Sequence, residues 1–161
     1  MKQISKNQRA LVVFLRHTGC TFCREALADI GTRRAEIESK GVRIVLVHMS
    51  DDEEFRAILP RFGLEDVVSI SDPERNLYRE FQLQRGRLWQ LVGPHVWWRG
   101  IKAWLRGNGI GRVSGDVFQM PGTFLIYNGE IIKSFRNKSA ADRPDYVDMA
   151  VCELPGDQVT E

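Results

Sequence analysis

Residues 11–25, LVVFLRHTGCTFCRE, decide the fold of this chain. They begin with five consecutive apolar residues, rich in β-branched and aromatic types, which predict a buried strand. A short polar turn follows, and the residues after it have helical spacing, so the strand runs directly into a helix. Cys20 falls at the start of that helix, where unpaired backbone N–H groups and the positive end of the helix dipole favour a thiolate. Cys23 lies one turn further on, close enough to form a disulfide with Cys20, and this placement predicts a redox dithiol.

The composition is typical of a soluble globular protein. A length of 161 residues suits one domain, and we expect no boundary between residues 1 and 161. Charged residues make up 27% of the chain and hydrophobic residues 43%. The net charge is +2, and the basic residues are spread along the chain rather than clustered on one face, so we expect no nucleic-acid partner. No apolar run has the length needed to span a bilayer.

The N-terminus and the cysteine content predict a cytoplasmic protein. Residues 1–9 are polar and lack the apolar segment of a secretory signal peptide. The chain has three cysteines, an odd number that fits a reactive dithiol plus one further residue, Cys152, better than a disulfide framework.

The first half of the chain predicts a βαβ unit. The helix that starts at the dithiol is expected to end at Lys40-Gly41, a typical stop signal, although Gly31 weakens its middle. The nearly unbroken apolar run from Val42 to Met49 then predicts a central parallel strand covered on both faces. This order of elements indicates an α/β fold.

Three capping signals predict the starts of later helices. They are Ser50 followed by Glu53, Asp72 followed by Pro73, and Asp142 followed by Pro144. A short strand is expected at residues 67–70. Residues 123–127 and 130–135 predict two strands joined by Asn128-Gly129, which is typical of a tight antiparallel hairpin.

Residues 84–115 predict an insertion of different character. They contain all four tryptophans and a glycine-rich run at 107–111, and Pro94 is placed to start a helix with an apolar and a basic stripe. Two interpretations stay open for the tryptophans. They cover an edge of the core, or they form a wall of a substrate groove or a docking surface.

Several motifs carry a resemblance to a known family. The order of elements, with C-x-x-C at the first strand-to-helix turn, resembles the thioredoxin fold. Three stretches resemble more narrowly the peroxiredoxin-like AhpC/TSA family, within it the selenoprotein-L and peroxiredoxin-like-2 group: FLRHTGCTFCRE at 14–25, Ser71-Asp72-Pro73, and MPGTFL at 120–125. The resemblance implies a thioredoxin-like three-layer α/β sandwich, with a mixed sheet, a C-terminal β-hairpin and a Trp-rich helical insertion.

The same resemblance implies roles for four residues. Cys20 is expected to be the attacking thiol and Cys23 the resolving one. Pro121 stands where thioredoxin-like proteins have a cis proline against the dithiol, and the backbone of Met120 is then expected to hydrogen-bond the substrate.

The same residues permit other interpretations. Arg16 and His17 either hold the Cys20 thiolate by charge or hydrogen bond, or are polar surface residues of a turn. The two cysteines could instead be buried structural residues, or could bind zinc with His17 or Cys152. The chain lacks the second short-spaced ligand pair of a structural zinc site, so we expect no metal and no organic cofactor.

The predicted function is a thiol-disulfide oxidoreductase or peroxiredoxin-like antioxidant protein. Its partners would be an external dithiol reductant of thioredoxin or glutathione type and a substrate that is a protein disulfide, hydrogen peroxide or a lipid peroxide. Typical peroxiredoxins carry Pro-x-x-x-Thr-x-x-Cys, whereas Thr18 stands only two residues before Cys20. The alternative is a redox-sensing interaction module, whose dithiol gates the docking of the Trp-rich helix on a partner or a membrane surface.

Overall fold

The computed structural model describes residues 4–86, 116 and 118–152. The strands are β1 (Arg9–Phe14), β2 (Val42–His48), β3 (Val68–Ser71), β4 (Gly122–Tyr127) and β5 (Glu130–Arg136). The helices are α1 (Thr21–Thr32), α2 (Arg34–Glu38), α3 (Asp52–Ile58), α4 (Asn76–Glu80) and α5 (Tyr146–Ala150), with a 3-10 helix at Leu59–Phe62.

The five strands form one mixed sheet in the order β3-β2-β1-β4-β5. β1, β2 and β3 are parallel, whereas β4 runs antiparallel to both β1 and β5. The last residue of β1, Phe14, pairs with Val47 near the end of β2 and with Gly122 at the start of β4. The dithiol turn therefore leaves the sheet between the β2–α3 loop and the residues that precede β4.

Helices cover both faces of this sheet, which makes three layers. Leu11 and Val13 of β1 point into a core formed with α1, α2, α3 and α5. Val12 and Phe14 point into a second core that includes Tyr78 of α4. The alternation follows from the two-residue period of a strand, and it explains why β1 is apolar on both sides. The predicted α/β sandwich with a mixed sheet is confirmed.

The predicted hairpin between β4 and β5 is present. Asn128 and Gly129 have φ angles of 49° and 86°, the left-handed conformation that a tight two-residue hairpin turn requires. The backbone N–H of Asn128 also donates to the Ser5 carbonyl at 2.8 Å, which ties the turn to the N-terminal segment.

The first predicted helix is wrong in its extent. It ends at Thr32, and α2 starts separately at Arg34. A Cβ built on Gly31 would lie 2.0 Å from the carbonyl oxygen of Phe62, so only glycine allows the 3-10 helix to approach this closely. α1 thus ends next to Gly31, the residue that the sequence predicts to weaken the helix, where the 3-10 helix packs against it.

The capping signal at Ser50 is also wrong. Asp51 is the N-cap of α3, and its carboxylate accepts hydrogen bonds from the N–H groups of Glu53 at 3.0 Å and Glu54 at 3.3 Å. The Ser50 hydroxyl instead accepts a hydrogen bond from the backbone of Thr18, in the dithiol turn.

The other two signals are displaced along the chain. The fourth helix begins at Asn76 rather than at Pro73, although the Asp72 carboxylate still accepts hydrogen bonds from the N–H groups of Asn76 and Leu77. The closing helix is capped by Asp145, not by Asp142. The N-cap of α4 is Arg75 rather than Asp72, and both helices start later along the chain than the sequence predicts.

The predicted insertion lies outside the described residues, apart from 84–86. An isolated antiparallel β-bridge pairs Arg85, before the undescribed residues, with Gln119, after them. No helix in the described ranges is long and apolar enough to cross a membrane.

Candidate active site

The dithiol lies where the sequence predicts it, at the start of α1. Cys20 is the N-cap residue, with extended backbone angles, and its carbonyl accepts the hydrogen bond from the Arg24 N–H at 3.1 Å. Cys23 is in the first turn of the helix. Both are buried, with exposed fractions of 5% and 6%, and both are free thiols.

The two thiols differ in acidity. The hydrogen bond from the Cys23 thiol, followed by the charge of Arg16, holds the pKa of Cys20 well below its usual range despite burial. Burial, followed by the hydrogen bond and the negative charge of Cys20, holds the pKa of Cys23 well above it. Of the two thiols, Cys20 therefore has the lower pKa and loses its proton first.

Arg16 contacts both sulfurs. Its Nη2 donates to Cys20 Sγ at 2.8 Å, and its backbone N–H donates to Cys23 Sγ at 3.2 Å. The side chain is only 8% exposed, which contradicts the alternative reading as a polar surface residue of the turn. A buried guanidinium beside a thiolate lowers the free energy of the charged sulfur, because water does not screen the interaction.

His17 is likewise buried, and its backbone carbonyl accepts the hydrogen bond from the Cys20 N–H at 3.0 Å. Burial lowers the pKa of its imidazole, so the ring is neutral at pH 7. No group in the described part of the chain hydrogen-bonds its Nδ1. His17 therefore contributes to the turn before α1 through its backbone carbonyl, and its imidazole is buried.

The turn between β1 and α1 is held by three residues that sequence reasoning missed. The Ser50 hydroxyl accepts from the Thr18 N–H at 2.9 Å, and the Thr18 hydroxyl donates to Glu54 Oε1 at 2.5 Å. The Tyr78 hydroxyl donates to the carbonyl of Leu15. A signal for Ser50 and Glu54 did exist, since the carboxyl ends of neighbouring parallel strands meet at one sheet edge.

The cis expectation for the bond between Met120 and Pro121 is wrong. This peptide bond is trans, as every peptide bond in the described ranges is; the trans form is the preferred one even before proline. The Met120 N–H donates to the Gln84 carbonyl at 3.2 Å, and the Met120 carbonyl accepts from Gln119 Nε2 at 3.3 Å. Pro121 lines the same cavity as Cys23, and a role of Met120 and Pro121 in substrate binding stays a prediction.

A small cavity adjoins Cys23. It leaves about 20 Å³ for the centre of a water-sized molecule, enough for roughly one water. Its walls come from the end of β1, the first turn of α1, the start of β4 and the chain after β5; they include Arg16, Phe22, Cys23, Pro121, Asn137 and Arg143.

The third cysteine lies elsewhere. The carbonyl of Cys152 accepts a hydrogen bond from Arg9 at 2.8 Å, and Arg9 is the first residue of β1, whereas the dithiol follows the last. In the ranges that the structure covers, no group of three or more His, Cys, Asp or Glu side chains is placed to hold a metal ion.

Comparison with known proteins gives a consistent result. The sequence profile described as AhpC/TSA antioxidant enzyme matches residues 29–139. The match begins after Cys23, so it rests on the sheet and the helices around the site rather than on the dithiol. Peroxiredoxin-like 2A from Rattus norvegicus is 26% identical and covers 88% of this chain. The chain spans only 61% of that relative's length.

Solved peroxiredoxin structures share the fold. Peroxiredoxin Q from Xanthomonas campestris superposes with a TM-score of 0.58 at 15% identity, covering 83% of this chain and 71% of that one. Reduced Prx3 from Vibrio vulnificus, in complex with hydrogen peroxide, gives a TM-score of 0.60 at 14% identity, covering 84% and 74%. These likenesses confirm the thioredoxin-like fold.

Proposed function

We propose that this chain, which belongs to the AhpC/TSA antioxidant enzyme family, is a thiol-dependent oxidoreductase that reduces a peroxide or a disulfide through Cys20 and Cys23. The observation that carries the proposal is the 2.8 Å hydrogen bond from the buried Arg16 guanidinium to Cys20 Sγ, at the N-cap of α1. Such a site favours a thiolate, which is the nucleophilic form of cysteine.

In the first step the Cys20 thiolate attacks the oxidant. With a hydroperoxide, a bond forms between Sγ and the terminal O–H oxygen and the O–O bond breaks. The leaving alkoxide, or hydroxide in the case of hydrogen peroxide, takes a proton from the solvent to become an alcohol or water. Cys20 is oxidised to a sulfenic acid. With a disulfide, Sγ forms a mixed disulfide and the second sulfur leaves as a thiolate.

In the second step Cys23 resolves the intermediate. Its sulfur attacks Cys20 Sγ, its proton goes to the departing hydroxide or thiolate, and water or a thiol is released. An intramolecular disulfide joins Cys20 and Cys23. The hydrogen bond from the Cys23 thiol to Cys20 supports this division of labour, because it places the resolving sulfur and its proton next to Cys20.

An external dithiol closes the cycle by thiol-disulfide exchange. It is oxidised to its own disulfide while Cys20 and Cys23 return to the thiolate and thiol. A reductant of thioredoxin or glutathione type fits this step.

The test is turnover. Reduced protein is mixed with dithiothreitol and hydrogen peroxide, and loss of the peroxide above the protein-free background is followed over many equivalents. We expect continuous consumption that Cys20→Ser abolishes, while Cys152→Ser, the matched control, retains it. Consumption that stops after one equivalent per protein would contradict an enzyme and favour the redox-sensing alternative.

A further inference from the structure

The segment 137–145, which connects β5 to α5, forms one wall of the cavity beside Cys23. Ala140, Asp142 and Arg143 of this segment line the cavity together with Pro121. Ala140 is 3% exposed, so the segment packs inward rather than lying loosely on the surface.

The segment is held in shape by its own hydrogen bonds. The Asp142 carboxylate accepts from the N–H groups of Lys138 at 2.9 Å and Ser139 at 2.8 Å, and from the Ser139 hydroxyl at 3.0 Å. The Asn137 side chain donates to the Asp142 carbonyl. A turn organised in this way keeps one conformation, because its backbone groups are bonded internally.

Three contacts fasten the segment to the rest of the site. They join Arg143 Nη2 to Glu25 Oε1 at 3.0 Å, the Asn137 N–H to the Pro121 carbonyl at 3.3 Å, and Asp145 to Arg33 at 3.1 Å. The Glu25 and Arg143 side chains are only 12% and 21% exposed. This ion pair is better shielded from water than the Arg33 pair, whose Asp145 side chain is 53% exposed, so it contributes more to holding the segment.

The position of the segment limits what can approach the sulfurs. Cys20 and Cys23 are both buried, and the cavity is lined by Cys23 and by Arg16, which donates to Cys20 Sγ. It has room for roughly one water, and a hydrogen peroxide molecule is close to that size. A phenyl-bearing hydroperoxide or a protein disulfide is several times larger, and cannot enter the cavity beside Cys23 and Arg16 unless the 137–145 segment moves away.

We propose that the Glu25–Arg143 ion pair is a specificity determinant that keeps the 137–145 segment against the cavity beside Cys23 and Arg16, and thereby restricts the site to small peroxides. The inference rests on the proposed function, since it concerns which oxidant reaches the same Cys20 and Cys23. Both residues act as positioning residues, because neither donates to a sulfur. Bulky oxidants react only in the fraction of molecules in which the ion pair has opened.

The experiment compares two oxidants on variants of the full chain, with dithiothreitol as reductant. The measured quantity is the ratio of kcat/KM for cumene hydroperoxide to kcat/KM for hydrogen peroxide. Arg143→Ala and Glu25→Gln each remove the ion pair, and Arg143→Lys retains the charge. Arg34→Ala is the matched control, because it removes an arginine that pairs with Asp66 away from the cavity.

We expect the ratio to rise about tenfold in Arg143→Ala and in Glu25→Gln, the change produced when about 1.4 kcal/mol of closure is lost. The double variant should rise no further than either single one, since both remove the same contact. Arg143→Lys and Arg34→Ala should stay near the wild-type ratio. Circular dichroism melts identify any variant that is unfolded, and the remaining variants then decide the result.

Two outcomes separate this inference from the proposed function. A wild-type protein that turns over peroxide, with variants whose ratio is unchanged, would overturn the role of the ion pair and leave the oxidoreductase standing. A ratio that already favours cumene hydroperoxide in the wild type would overturn the size restriction. Absence of turnover with either oxidant in every variant would instead overturn the proposed function, and this inference with it.

Discussion

Replacement of Arg16 by methionine tests the physical cause of thiolate stabilisation. The change removes the guanidinium that donates to Cys20 Sγ but keeps a side chain of similar length. The backbone N–H of Arg16, which donates to Cys23, is unaffected by the change. Arg16→Lys is the control that keeps a positive charge while losing the planar fork of the guanidinium.

The size of the effect follows from the burial of the contact. A hydrogen bond to a charged group contributes about 1.5–3 kcal/mol, and water cannot replace the donor at a site where Cys20 is 5% exposed. Since one pKa unit corresponds to about 1.36 kcal/mol, the pKa of Cys20 should rise by about 1–2 units in Arg16→Met. Arg16→Lys should show a smaller rise.

The assay is the rate of alkylation by iodoacetamide across a pH series, with mass spectrometry to assign the label to Cys20. The rate follows the thiolate fraction, so its midpoint reports the pKa. In the wild type this midpoint should lie below the ordinary thiol value of about 8.5, and in Arg16→Met it should move upward. An unchanged midpoint in a folded Arg16→Met protein, or faster labelling of Cys23 than of Cys20 in the wild type, would refute the reasoning.

Three further predictions concern other parts of the chain. Cys23→Ser should consume one equivalent of peroxide and trap a sulfenic acid on Cys20, detectable with dimedone; rapid continued turnover would exclude Cys23 as the resolving thiol. Burial lowers the pKa of His48 to about 4, so the unfolded chain binds a proton before the folded one does. The free energy of unfolding, measured by urea melts, should therefore fall by about 2 kcal/mol between pH 7 and pH 5. This loss should be smaller in His48→Gln. An equal pH dependence of the unfolding free energy in the wild type and the variant would contradict the prediction. Gly31→Ala should lower the free energy of unfolding by about 1–3 kcal/mol, because its Cβ would meet the carbonyl of Phe62; unchanged stability would mean that the 3-10 helix shifts at little cost.

Most of the fold could be predicted from the sequence, because the strands have clear patterns of apolar residues and turn residues. The apolar run before Arg16 had no reading other than a buried strand, and Asn128-Gly129 permits few structures other than a tight hairpin. The position of Cys20 at the start of α1 followed from the same local signals.

The structural predictions that failed concern features that depend on contacts between residues far apart in the sequence. The close approach of the Phe62 carbonyl to Gly31, next to the end of α1 at Thr32, joins residues far apart in the sequence, and no local pattern reveals it. Ser50 looked like a helix cap, but its hydroxyl accepts from Thr18 instead. The cis expectation before Pro121 came from resemblance alone, and nothing local required it.

The sequence predicts the position of the two thiols of the candidate site, but not the residues that surround them. Cys20, Cys23 and Arg16 are adjacent in sequence, so spacing could find them. The Glu25–Arg143 pair joins residues more than a hundred positions apart, and it can be recognised only once the segment after β5 is seen against α1.

The most direct measurement is disulfide mapping after a single oxidation. Reduced protein receives one equivalent of hydrogen peroxide, free thiols are then alkylated, and the peptides are identified by mass spectrometry. The proposed mechanism predicts one peptide in which Cys20 and Cys23 have lost two hydrogens, with Cys152 fully alkylated. A disulfide that includes Cys152, or full alkylation of both Cys20 and Cys23 after the peroxide has been consumed, would contradict it.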